Sequence, residues 1–407
     1  MKIAIETKGF DQSGGLVDFV RHITYCIDLA NEDSSNDISV LIAKNNFNFK
    51  IKKWISLFRG FASSLLKDKK LSWVKYQGFD QKYLEKIFDN LSNVKNISPG
   101  YSLNSHLSYV QKCNFDIIFP CLDQPPSNFK LPWIGYFWDF QHKYYPEFFN
   151  RKEIERRNIF SNNMFNNANN VIVNSNAVKM DADKFVKNHK SKVHVIPFSP
   201  GAKLEWITDN RDVGSYYGIK KPYFIICNHF YIHKNHQTAF KAFAKFLRLE
   251  GKNFQLVCTG LQNDGRDPKY FSKLLTLIKK LNLEKDVIFT GHIPKLDQIS
   301  LLKRSLAVIQ PTLFEGGPGG GSSYDAISLG HRLIISDISV NCEIEKNSNV
   351  NFFNTLSVDD LTNKLLKIIN TNFLRDNNNV LLESSRKRMI NCGMKLLSIA
   401  EEVVNKR

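Results

Sequence analysis

Three features of the chain predict an α/β protein built from two doubly wound domains. Short apolar runs alternate with amphipathic helical patterns from end to end, as in a parallel sheet covered by helices. The alternation falls into two series, separated by the aperiodic stretch Phe198–Lys221 with its Ser-Pro-Gly and Asp-Asn-Arg-Asp segments. At 407 residues the chain is also longer than one hydrophobic core usually serves. The expected layout is a first domain over 1–200, a hinge over 201–221 and a second domain over 222–380. A C-terminal helix over 381–407 is free to return to the first domain.

The first series opens with a strand at Ile3–Glu6. Ser13-Gly14-Gly15 follows, then a helix with Leu16, Phe19, Val20, Ile23 and Ile27 on one face. Further strands are expected at Ile38–Ala43, Phe115–Phe119, Trp133–Phe137, Asn170–Asn174 and Val193–Ile196. The second series runs strand Pro222–Cys227, helix His236–Glu250, strand Phe254–Thr259, helix Pro268–Leu283, strand Asp286–Thr290 and helix Leu296–Arg304. Strand Leu306–Gln310, a glycine loop, helix Ser322–Leu329 and strand Arg332–Ser336 complete it, and a helix over roughly Val380–Val404 closes the chain. Two such domains leave a cleft between the carboxyl ends of their strands, where ligands of these sheets bind.

The glycine loop carries the chemistry. Phe314-Glu315-Gly316-Gly317-Pro318-Gly319-Gly320-Gly321-Ser322-Ser323-Tyr324-Asp325 places five glycines between a strand and a helix. Glycine lets backbone approach a ligand closely, and the free N–H groups that open a helix attract anions. A loop selected only for flexibility gains nothing from carboxylates at both ends, so Glu315 and Asp325 mark a site.

Composition narrows the classes. Hydrophobic residues make up 43% of the chain and aromatics 12%, enough for packed cores. No apolar run approaches the ~20 residues that cross a bilayer. Met1-Lys2-Ile3-Ala4-Ile5-Glu6 meets a carboxylate too early for a secretion signal. Seven scattered cysteines without paired metal spacing suit reduced thiols in the cytoplasm. The net charge of +17 attracts polyanions of every kind and does not choose among nucleic acid, lipid and phosphorylated substrate. Between residues 50 and 76, Lys50, Lys52, Lys53, Arg59, Lys67, Lys69, Lys70 and Lys75 interleave with Trp54, Phe58, Phe61, Leu65, Leu66 and Trp73. That segment reads equally as an anionic-membrane contact and as a helix packed on the first sheet.

Four segments of the second half resemble the retaining glycosyltransferases of family 4, the group 1 glycosyltransferases of GT-B fold. They are Asn228–His236, Phe289-Thr290-Gly291-His292-Ile293-Pro294, the glycine loop, and Ser336-Asp337-Ile338 with Glu343. In the first half, Trp138–Phe149 is similar to an Asp-x-Gln-His segment of one branch, and Val173-Asn174-Ser175 and Val195-Ile196-Pro197 also fit. The family signature is Glu, seven residues, Glu, then Ala and a Gly four further on. Here Glu315 is the first carboxylate, the literal second position is Ser323, and Ala326 and Gly330 instead align Asp325 with the second glutamate.

The resemblance implies roles residue by residue. Lys234 would neutralise the donor diphosphate, with His229 at the usual arginine position and His233 or His236 as candidate helpers. Gly14 and Gly15 would let backbone approach the donor diphosphate or the acceptor across the cleft, and Gly319, Gly320 and Gly321 would let it approach the donor. Glu315 would orient the donor sugar and Asp325 the ribose, while His142 would sit near the reacting sugar and Asp139 on the acceptor side. A metal site through His229, His233 and His236 fits the spacing but lacks carboxylate or cysteine partners, so no metal and no cofactor are expected. The implied activity moves a sugar from a nucleotide-diphosphate sugar to a saccharide or lipid-linked saccharide with retention, in surface polysaccharide or glycolipid synthesis. The enzyme would be cytoplasmic or peripheral to the inner membrane face, with an anionic membrane surface as a further partner. Its rivals are a GT-B epimerase or hydrolase and a non-catalytic polyanion binder. Nucleic acid is not expected as a partner, because paired carboxylates beside the glycine loop repel a phosphate backbone.

Overall fold

The computed structural model describes residues 1–10, 14–32, 35–44, 80–89, 91–197, 199–251, 253–347 and 349–406. The basic segment at 50–76 lies outside the described residues.

The first half alternates β1 (Lys2–Glu6), α1 (Gly14–Ala30), β2 (Asp37–Leu41), α2 (Gln81–Phe88), β3 (Val94–Ile97), α3 (Leu103–Lys112) and β4 (Ile117–Cys121). It continues through β5 (Trp133–Tyr136), α4 (Gln141–Tyr144), α5 (Arg151–Asn167), β6 (Asn170–Val173), α6 (Asn176–Phe185) and β7 (Lys192–Val195). Its described strands pair in parallel in the order β3-β2-β1-β4-β5-β6-β7. A short helix, α7 (Leu204–Thr208), interrupts the stretch read as aperiodic: Trp206 and Ile207 are buried in the second domain's core.

The second half runs β8 (Tyr223–Cys227), α8 (His236–Glu250), β9 (Gln255–Thr259), α9 (Tyr270–Lys280), β10 (Val287–Gly291), α10 (Lys295–Arg304) and β11 (Val308–Gln310). Then come α11 (Gly320–Ser328), β12 (Leu333–Ser336), β13 (Val350–Phe353), α12 (Val358–Ile369) and α13 (Asn378–Asn405). Its described strands are again all parallel, in the order β10-β9-β8-β11-β12-β13.

Both sheets are buried on two faces, which explains why their central strands read as unbroken apolar runs. Ile117–Cys121 and Gln255–Thr259 are buried at every position. α8 shows how the helices are held: Ala239, Phe240, Phe243, Phe246 and Leu247 recur at helical spacing and are all buried against the sheet. Each large side chain of that stripe contributes about 1.5–3 kcal/mol by leaving water. α13 spans both halves. Its Leu381 lies in the second core, while Met389, Cys392, Leu396 and Ala400 lie in the first, beside Val20, Ile23 and Ile27 of α1. The two helices meet at Gly393, where a Cβ would fall 2.0 Å from the Cys26 carbonyl oxygen.

In each sheet the strand order reverses beside the first strand, at β1/β4 and at β8/β11. The loops leaving β8 and β11 therefore diverge to opposite sides and open a crevice at their carboxyl ends. Asn228, just past β8, and Gln310, ending β11, close its floor: Asn228 Nδ2 donates to Gln310 Oε1 at 2.6 Å.

Candidate active site

Gln310 organises the glycine loop from beneath. Buried completely, it accepts from Asn228 and from Ser322 Oγ (3.1 Å) through Oε1. Its Nε2 donates to the Gly319 carbonyl (2.7 Å) and to Glu315 Oε1 (3.2 Å). The turn before α11 requires glycine, since Gly319 and Gly320 have φ of +73° and +66°. A Cβ at Gly320 would lie 3.2 Å from Glu315 Oε1, whereas one at Gly321 would meet nothing within 4 Å. The first turn of α11 is thus open at Gly321, and a helix start carries orphan N–H donors.

Lys234 arrives from the other side of the crevice. It lies in the single helical turn Ile232–Lys234 after β8, which ends on Asn235 in the left-handed region (φ +52°). Asn235 Nδ2 donates to the Pro311 carbonyl at 3.0 Å, tying this loop to the one after β11. Lys234 Nζ meets Glu315 Oε1 at 2.5 Å, and both side chains are largely shielded, 15% and 12% exposed. A cation and a carboxylate therefore stand together at the mouth of the helix.

His229 accepts the Leu261 N–H through Nδ1 at 3.0 Å, which leaves Nε2 as the protonated nitrogen of a neutral ring. Burial, helped by His292 and Lys234, holds its pKa down to about 4, so it offers an N–H and not a charge. His233 and His236 are both buried and engaged with other partners. His233 is buried and receives Arg266 Nη2 on Nδ1 at 3.0 Å. His236 is wholly buried and stacks on Phe230 at 4.3 Å as the first residue of α8's apolar face. Among the described residues no group of three His, Cys, Asp or Glu side chains could hold a metal ion.

Asp325 sits one turn into α11 with only 5% of its surface exposed. Burial raises its pKa, and Lys295, 2.5 Å away at the start of α10, opposes that rise. Ser323, the literal position of the family's second carboxylate, points elsewhere and donates to the Gly319 carbonyl at 2.8 Å.

The first domain approaches this loop closely. A Cβ on Gly316 would lie 2.3 Å from the Trp138 carbonyl oxygen and 3.1 Å from Asp139 Cβ. Asp139 accepts the Gln141 N–H at 2.9 Å and lies 3.8 Å from Arg157. Burial raises its pKa, and the Glu315 charge adds to that, against Arg157. His142, 2% exposed, turns inward: one ring nitrogen meets Asn158 Oδ1 at 3.0 Å and Nδ1 has no hydrogen-bond partner. Gly15 stands at the exposed N-terminal turn of α1, which begins at Gly14, and a Cβ there would touch nothing within 4 Å.

Residues 217–391 match the family described as Glycosyl transferases group 1. No curated protein matches the chain by sequence. Among solved structures, sucrose-phosphate synthase from Thermosynechococcus elongatus superposes with a TM-score of 0.64 at 14% identity, covering 100% of both chains. A glycosyltransferase from Rickettsia africae gives 0.62 at 15% identity, over 100% of this chain and 99% of that one. HepE from Anabaena, solved with UDP and glucose, gives 0.56 at 13% identity, over 100% and 99%. The chain is a GT-B glycosyltransferase.

Three residues of this glycosyltransferase's site escape a sequence reading. Gln310 looks like the last residue of a strand, and only its four contacts reveal it as the loop's anchor. Lys295 follows the recognisable Gly-His-Ile-Pro segment, but its pairing with Asp325 spans 30 residues. Arg266, in the Asp264-Gly265-Arg266-Asp267 loop, is clamped by Asp264, contacts His233 and donates to Gln141 Oε1 of the first domain at 3.3 Å. Its guanidinium also lies over the Tyr231 and Phe149 rings. A charged turn with two acids around one arginine was the available signal.

Proposed function

We propose that this glycosyltransferase moves a sugar from a nucleotide-diphosphate sugar to a hydroxyl of a saccharide or lipid-linked saccharide, with retention of configuration, in surface polysaccharide or glycolipid synthesis. The observation that carries the reading is the Lys234–Glu315 pair at the open N-terminus of α11. Diphosphate oxygens suit that place: the helix N–H groups, the Lys234 ammonium and the His229 Nε2–H all donate. Glu315 is left to accept from sugar hydroxyls and Asp325 from the ribose diol, as carboxylates do. Positioning and stabilisation of charge on the departing diphosphate would supply most of the rate enhancement. The departing diphosphate itself receives the proton of the incoming hydroxyl, so the scheme needs no enzymic nucleophile. HepE, the UDP-bound structure of similar fold, supports a nucleotide-diphosphate donor.

Among the described residues no helix is long and apolar enough to cross a membrane. Contact with an anionic membrane rests on the basic residues between 50 and 76 and on the lipid-linked acceptor class. The test of the whole reading is transfer from a panel of nucleotide sugars to saccharide and lipid-linked acceptors, with the product anomer read by NMR. An α-linked donor giving an α-linked product supports it. Inversion, or isomerisation of the donor without transfer, would refute it.

A further inference from the structure

We propose that Glu343 is a positioning residue that holds the glycine loop in register with the first domain, acting through Ser175 and not on the substrate. Glu343 ends the helical turn Asn341–Glu343 that follows β12. Its carboxylate reaches across to α6 of the first domain and takes the first two N–H groups of that helix: Asn176 N at 2.9 Å and Ala177 N at 2.7 Å. Asn176 Nδ2 adds a third bond at 3.1 Å. These are orphan donors at the positive end of a helix, where a carboxylate is favoured by charge and by hydrogen bonding together.

The same helix end also grips the loop. Ser175, the residue that caps α6, accepts the Val178 N–H at 3.1 Å and donates to the Gly316 carbonyl at 3.2 Å. Gly316 is the neighbour of Glu315. On the other side, Asn341 of the Glu343 turn accepts the Gly319 N–H at 2.9 Å. One turn of the second domain thus holds the glycine loop directly through Asn341 and indirectly through Glu343, α6 and Ser175. Loss of Glu343 frees α6 from the turn, and with it the register of Ser175 on the Gly316 carbonyl.

The proposal rests on the glycosyl-transfer reading for its kinetic readout, but its structural readout is independent of that reading. Glu343→Ala, Glu343→Gln, Ser175→Ala and the Glu343→Ala/Ser175→Ala double variant are compared in the full chain. Small-angle scattering of the free protein and kcat with donor KM are measured on each. Glu343→Ala is expected to raise the radius of gyration and to lower kcat on the order of tenfold to a hundredfold, the scale of loss from misplaced reacting groups. Donor KM should stay within about threefold, because the proposed donor contacts are made by the second domain. Glu343→Gln, which keeps one acceptor oxygen, should fall between wild type and Ala, and the double variant should be no worse than Glu343→Ala. High salt should shift wild-type scattering toward that of the Ala variant.

The proposal is overturned if scattering and kcat of Glu343→Ala match wild type, or if the two single losses simply multiply. Should Glu343→Ala fail to fold, Glu343→Gln and Ser175→Ala decide the question on the same readouts. A wild type that transfers no sugar defeats the functional reading alone, and the scattering comparison still decides the positioning role.

Discussion

Lys234 Nζ lies 2.5 Å from Glu315 Oε1, joining two residues 81 positions apart at the mouth of α11. Each neutralises the other until a ligand arrives, so a nucleotide diphosphate must share the ammonium with Glu315. Lys234→Ala should weaken nucleotide-diphosphate binding by several-fold to a hundredfold, about 1–3 kcal/mol for a charge-assisted contact. Affinity for the free nucleoside should hardly change in the same calorimetric titrations. An equal loss for both ligands would make the lysine structural. Glu315→Gln should lower turnover far more than melting temperature, since this carboxylate belongs to a loop and not to the core.

Asp325 and Ser323 separate cleanly by geometry, one facing Lys295 and the other closing the loop onto the Gly319 carbonyl. Asp325→Ala should impair donor binding. Ser323→Ala should cost about 1 kcal/mol of stability for a lost buried hydrogen bond while leaving donor affinity largely intact. Titration and thermal melts of the two variants check this, and the reverse ranking would move the second carboxylate's role to position 323.

Gly316 has room for no side chain, because a Cβ would fall 2.3 Å from the Trp138 carbonyl oxygen. Gly316→Ala should push the two domains apart at the loop. Turnover should fall about tenfold or more, with nucleotide affinity nearly kept, because the contacts proposed for the nucleotide lie within the second domain. A variant with normal kcat would show that this approach is not part of the working state.

The central strands and their order along the chain were legible because two-sided burial makes them continuous apolar runs, as in Ile117–Cys121. The edges were not. β3, Val94-Lys95-Asn96-Ile97, is never fully buried and carries two polar residues, so it lacks the apolar signal. β13, Val350-Asn351-Phe352-Phe353, hides behind the same polar interruption and took α12 with it. The glycine loop and its carboxylates were legible because conformation and charge are local there. The partners Lys295, Gln310 and Arg266, and the Glu343 contact with α6, join segments that only the folded topology brings together. In sequence His236 is a candidate helper for the phosphates, whereas its place at the head of the Ala239–Phe240–Phe243 stripe puts it in the core.

Acid should destabilise the protein from about pH 6.5 downward. Burial lowers the pKa of His142 to about 4 and of His236 and His331 to about 3, against 6.5 when unfolded. Below 6.5 the unfolded chain binds protons at these rings that the folded chain does not, so the unfolding free energy falls as pH falls. Their stabilisation is complete above 6.5 and is lost toward pH 3–4, each ring contributing up to about 1.4 kcal/mol per pH unit within that window. Asp139 and Asp325, raised by burial, act in the opposite sense at the acid end. Denaturant melts between pH 4 and 8 measure the slope, and a stability that rose from pH 6.5 to 5 would contradict these assignments. Donor affinity should show no His229 titration between pH 5 and 8, since its pKa is about 4.

The central claim, that the crevice between the loops after β8 and β11 holds a nucleotide diphosphate, is tested most directly by calorimetric titration of wild type and Lys234→Ala with nucleoside diphosphates, their sugars and the parent nucleosides. The account predicts saturable binding at one site per chain for at least one nucleoside diphosphate or its sugar, weakened by the substitution and little changed by moderate salt. Binding that is absent across the panel, or that has no stoichiometry and collapses with salt, would contradict it.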